Sequence, residues 1–175
     1  MRFYTYAALA LLVAATGCSS KETSPENLVF GNDFDSLAGW IPENPSLTQE
    51  KAHSGKYSIK VQQGIEYSLT YINLLGKISP TKVSKLRISA YVYVTKPSAA
   101  TLVLQVTRSA TDPTSIFNQG INFKDAVKQP GKWVKVSQVF TLPADAAATN
   151  QLKVYVWNSQ NDNGVYVDDL EVSKE

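Results

Sequence analysis

Residues 86–94 read Leu86-Arg87-Ile88-Ser89-Ala90-Tyr91-Val92-Tyr93-Val94, with an aliphatic side chain at every even position and a polar or aromatic one at every odd position. Successive side chains of a strand point to opposite faces, so this period of two predicts a strand with one face in a core. Two other runs repeat the pattern. In 101–107, Leu102, Leu104 and Val106 point in while Val103, Gln105 and Thr107 point out. In 152–157, Leu152, Val154 and Val156 point in while Lys153, Tyr155 and Trp157 point out. Further clear runs cover 133–142 and 165–172, and weaker ones 28–34, 46–51, 57–62, 67–72 and 116–123. Gly, Pro, Asn and Asp clusters separate them, and only 124–129 is expected to form a helical turn. Asn163-Gly164, between the last two clear runs, predicts a tight hairpin because both residue types tolerate positive φ. Strands at this spacing, with no repeat and no internal break, mean an all-β sandwich or barrel.

The composition removes several functions. The 175 residues hold 17 Lys plus Arg against 15 Asp plus Glu, a net charge of +2, too balanced for a nucleic-acid partner. A single Cys excludes an intramolecular disulfide and any thiolate cluster, and a single His leaves little for a zinc cage. No phosphate loop or dinucleotide fingerprint is present.

The chain opens with a leader. Arg2 is a minimal basic region, residues 7–15 are apolar, and small residues run up to Cys18. The apolar run is too short to span a bilayer, which takes about 20 residues, and suits a secretory signal. It resembles a lipobox, which implies that residues 1–17 are a lipoprotein signal peptide and that Cys18 is lipidated. Residues 18–27 are polar and aperiodic, a flexible tether. Ser19 after the cysteine, and more weakly Lys21-Glu22, resemble the sorting signals of outer-membrane, surface-exposed lipoproteins.

The remainder, 28–175, carries a second resemblance. Phe34-Asp35, Gly39-Trp40 and Ala52-His53-Ser54-Gly55-Lys56-Tyr57-Ser58 are similar to the opening of galactose-binding-like jelly rolls, many of them carbohydrate-binding modules. Gly131-Lys132-Trp133, Phe140-Thr141-Leu142-Pro143 and Val165-Tyr166-Val167-Asp168-Asp169-Leu170 are similar to its close. The resemblance implies a jelly-roll β-sandwich of two antiparallel sheets and a structural calcium ion. Its ligands would be Asp33, Asp35, a backbone carbonyl near Lys56, and Asp168, the last chosen because alternation puts it on one face with Leu170 and Val172. Oxygen ligands from separate segments suit Ca²⁺. The family often has Glu where this chain has Asp35.

For the ligand, the outward aromatics Tyr91, Tyr93, Tyr155 and Trp157 form an expected platform, since sugar C–H patches pack on aromatic faces. Arg87, Gln105 and Asn158 are polar groups suited to sugar hydroxyls. Tyr pairs also stabilise sheets without any ligand. Trp40 and Trp133 are expected to pack at the ends of the sandwich, and His53 to serve a turn. Glycoside hydrolysis needs two facing carboxylates, and among Glu43, Glu50, Glu66 and Asp125 no pair is evidently opposed. The expected protein is therefore not an enzyme. It is a lipid-anchored module holding glycan near partner transporters or hydrolases of a polysaccharide-utilisation system. A structural or adhesion lipoprotein packed against another envelope protein is the competing reading, and a small glycan lyase or hydrolase a third.

Overall fold

A computed structural model of the chain describes residues 27–158 and 163–175. The leader, Cys18 and the tether up to residue 26 lie outside the described residues. Ten strands are described: β1 Leu28–Asn32, β2 Leu47–Thr48, β3 Ser58–Val61, β4 Tyr71–Leu74, β5 Lys85–Val94, β6 Thr101–Thr107, β7 Ser115–Asn122, β8 Trp133–Thr141, β9 Gln151–Trp157 and β10 Val165–Lys174. Two single-turn helices, α1 Leu75–Ile78 and α2 Phe123–Ala126, lie between them. One antiparallel sheet has the order β2-β3-β10-β5-β8, with β1 also on β10; the other runs β4-β9-β6-β7. This is the expected two-sheet β-sandwich.

The core is where the two aliphatic faces meet. Leu86, Ile88, Ala90, Val92 and Val94 of β5 are at most 1% exposed, as are Leu102, Leu104, Val106, Leu152, Val154 and Val156 from the facing sheet. Burying each Val, Leu or Ile contributes about 1.5–3 kcal/mol, so these strands alone account for much of the driving force.

Two expectations fail for backbone reasons. Asn163-Gly164 does not close a hairpin, because β9 and β10 belong to opposite sheets. Nor does Asp168 share a face with Leu170 and Val172. Asp168 is opposite Tyr91 while Glu171 is opposite Ser89, so β10 gains a residue between them, and Asp169 sits at φ 47. That bulge reverses the alternation. Val165 and Val167 face the core before it, Leu170 and Val172 after it, and Asp168 turns outward beside Tyr91.

Candidate carbohydrate-binding face

The bulge aims both closing aspartates at the turn that contains His53, Ser54 and Gly55. Asp168, fully buried, accepts the backbone N–H groups of His53 (2.7 Å) and Ser54 (3.1 Å) on Oδ2 and that of Asp169 (2.7 Å) on Oδ1. Asp169 takes the side chains of the same two residues, Ser54 Oγ and His53 Nδ1, each at 2.6 Å. Burial, the largest influence, pushes the Asp168 carboxyl above the usual range despite these donors. Asp35 holds the next residue, accepting the Lys56 N–H at 2.8 and 3.1 Å, and at φ 54 Gly55 leaves room for it: a Cβ there would lie 1.9 Å from Asp35 Oδ2.

The residues expected to hold calcium take part in these same contacts. The carboxylates of Asp35 and Asp168 are engaged with backbone N–H groups, Asp33 Oδ1 accepts the Asp35 N–H at 3.1 Å, and Lys56 contributes its N–H. Among the described residues no three acidic, His or Cys side chains gather in one cluster.

The clamped turn covers the outer face of the larger sheet. The His53 ring lies on Tyr91, centroids 3.5 Å apart, and Trp133 meets both His53 and Tyr93 at 5.7 Å. Lys51 Nζ stands 4.7 Å from the Tyr93 ring, and Arg87 Nε pairs with Glu175 at 2.6 Å. Trp133 therefore packs as expected. Trp40 does not: it is 88% exposed on the loop after β1.

The expected platform splits in two. Arg87, Tyr91 and Tyr93 project from β5, whereas Gln105, Tyr155 and Trp157 project from β6 and β9 on the opposite side of the molecule. Asn158 is on neither face; it is fully buried.

On the smaller sheet, cross-strand registers lay the outward side chains in rows. Trp157 lies opposite Thr101, itself opposite Asn122; Tyr155 opposite Val103 and Gly120; Lys153 between Ile72 and Gln105, with Asn118 beyond. Beside Tyr155 the middle row exposes little side chain, since Val103 is 3% exposed and Gly120 has none. A Cβ at Gly120 would meet the Leu102 carbonyl oxygen at 2.5 Å, so a larger residue there would push β7 away from β6.

Residues missed in the sequence complete the upper row. The segment before β4 folds back on β9: Tyr67 bridges Trp157, Ser68 N–H donates to the Val156 carbonyl at 3.0 Å, and Ser68 Oγ accepts the Val156 N–H at 2.9 Å. The Tyr67 and Trp157 rings are then nearly parallel, 9° apart with centroids at 6.4 Å, and Tyr155 is 6.0 Å from Tyr67. Glu66 Oε1 accepts the indole N–H of Trp157 at 3.0 Å and sets the ring's orientation. Tyr67 and Trp157 nevertheless remain 53% and 38% exposed. Burial raises the Tyr155 and Tyr67 phenols, with Glu66 adding to the rise at Tyr67, so both keep their protons at neutral pH. Glu66 and Tyr67 sit in a weakly alternating stretch, where no periodic signal marks their side chains as partners of β9.

A two-sheet sandwich presenting exposed aromatic rings beside polar amides offers a surface suited to packing against sugar rings. The chain belongs to the carbohydrate binding domain family CBM_4_9, whose model matches residues 26–163. Endo-1,4-beta-xylanase A of Thermotoga maritima is 29% identical over 160 residues, covering 87% of this chain and 14% of the xylanase. The Thermotoga neapolitana enzyme of the same name is 29% identical over 164 residues, again 87% and 14%. The chain thus spans only a small part of either relative. In fold it is similar to the C-terminal family 22 carbohydrate binding module of Clostridium thermocellum Xyn10B, with a TM-score of 0.51, 14% identity and coverage of 87% and 96%. It is also similar to a CBM 22 xylan-binding domain, with a TM-score of 0.50, 14% identity and coverage of 86% and 97%. Residues 26–163 are thus a carbohydrate-binding domain. Glu50 pairs with Lys60 and Tyr166 on the larger sheet while Glu66 holds Trp157 on the smaller one.

Proposed function

We propose that this module holds a xylan-type polysaccharide on the outer face of the β4-β9-β6-β7 sheet, tethered to the outer membrane through acylated Cys18 and exposed at the cell surface. The carrying observation is the parallel Tyr67–Trp157 pair, left open to solvent and oriented by Glu66. Sugar rings pack their C–H faces on such rings, while Gln105, Asn118 and the Tyr155 hydroxyl offer donors and acceptors to the sugar hydroxyls. Both xylanase relatives and the xylan-binding domain of like fold support xylan as the class. The test is affinity electrophoresis in gels containing soluble xylan, with a reducing-sugar assay alongside. Retardation without new reducing ends is expected; unretarded migration in every glycan gel would reject the reading.

The anchor has its own test. Two or three acyl chains give stable attachment, each buried methylene contributing about 0.8 kcal/mol. Cells grown with a labelled fatty acid should tag the wild type, and Cys18→Ser should lose both the tag and its place in the membrane fraction. Equal labelling of the two would exclude lipidation.

A further inference from the structure

We propose that Lys153 makes this face selective for glycans carrying negative substituents, carboxylate or sulfate ester. This rests on the glycan-face reading above. Lys153 is the odd residue of its strand. β9 presents Trp157, Tyr155 and Lys153 in line, and Lys153 is flanked by Ile72 on one neighbour and Gln105 on the other, with Asn118 next across. It lies inside the sheet and not at its rim, half-buried, at a position where lysine is a poor strand former.

Several other lysines near a sheet face have company. Lys60 pairs with Glu50 at 2.7 Å, Lys51 and Lys135 stand over Tyr93 and Tyr91, and Lys174 reaches Ser79 Oγ at 3.5 Å. Among the described residues, Lys153 has no carboxylate, carbonyl or ring against its ammonium. Glu66, the acidic group at the upper row, is engaged with the Trp157 indole. The face therefore carries an uncompensated cation about 13 Å along the strand from Trp157, at about 3.3 Å per residue. A glycan chain stacked on Trp157 and Tyr67 and running along β9 passes Tyr155 and brings its next sugars to this ammonium. A carboxylate or sulfate there gains a charge-assisted hydrogen bond, with the Gln105 and Asn118 amides beside it. A lysine acts as a flexible point charge, so it favours an anionic substituent without demanding one orientation.

The experiment measures binding of the wild type, Lys153→Gln and Lys153→Arg to neutral xylan, glucuronoxylan and sulfated xylan by calorimetry. The wild type should prefer an acidic xylan over the neutral one by about fivefold or more, a preference that fades with added salt. Lys153→Gln should abolish the preference while binding neutral xylan as before, and Lys153→Arg should restore it. Loss confined to glucuronoxylan assigns the substituent as carboxylate, and loss confined to sulfated xylan assigns it as sulfate ester. Wild type and Lys153→Gln binding all three glycans alike would overturn the proposal while leaving the glycan face standing. A wild type that binds none of them removes the glycan reading itself, and this inference with it.

Discussion

Trp157→Ala should weaken xylan binding by more than tenfold, about 1.4 kcal/mol or more, while shifting the melting temperature little. The indole is 38% exposed and its ring contact is with Tyr67, itself open to water, so its loss empties no core. It also releases Glu66 from its indole hydrogen bond and leaves Tyr67 without its parallel neighbour, so the second ring of the pair is loosened as well. The control is Tyr91→Ala on the opposite face, where the ring lies under His53; binding there should be unchanged. Core truncation at Val156, 1% exposed, should do the reverse and cost about 1–3 kcal/mol of stability. Calorimetric titration beside thermal melts separates these outcomes. Undiminished affinity in Trp157→Ala, or an affinity lost in Tyr91→Ala, would move the site off the smaller sheet.

A second large effect is expected at Asp168. Its carboxylate receives three backbone N–H groups in a fully buried position. Alanine would leave those donors unpartnered, and the loss should be about 3–5 kcal/mol, among the larger single-residue effects. Asn keeps the shape and one acceptor oxygen but turns an N–H₂ towards the Asp169 N–H, so Asp168→Asn should lose roughly half as much. The damage should also reach the larger sheet, since the turn it holds carries the ring that covers Tyr91. Urea unfolding followed by tryptophan fluorescence gives both numbers. An Asp168→Ala variant within about 1 kcal/mol of wild type would show that the turn is held by its other contacts.

Much of the fold is legible in the residues because alternation is a local property. Leu86, Ile88, Val92 and Val94 had to face apolar surroundings whatever their neighbours, and all are buried. The phrase from Ala52 to Ser58 and the closing Asp168-Asp169 pair pointed to one family, and the chain belongs to a carbohydrate-binding one. Local pattern fails where a single residue changes phase. The bulge at Asp169 has no signature in the alternation, since Asp-Asp-Leu reads equally well as a regular strand, and it sets Asp168 against the turn of His53 and Ser54.

The sequence by itself determined which side of each strand meets the core, and hence that Tyr91, Tyr93, Tyr155 and Trp157 point away from it. It could not determine that they point away in opposite directions. In a sandwich both sheets turn their aliphatic sides inward, so outward on β5 and outward on β9 obey the same rule and differ by the thickness of the molecule. Only the pairing of strands decided that β5 joined one sheet and β9 the other. Pairing depends on backbone hydrogen bonds between residues far apart in the chain, to which the type of side chain contributes little. The same long-range pairing laid Tyr67 beside Trp157 and covered Tyr91 with His53, leaving the smaller sheet with the open aromatic face.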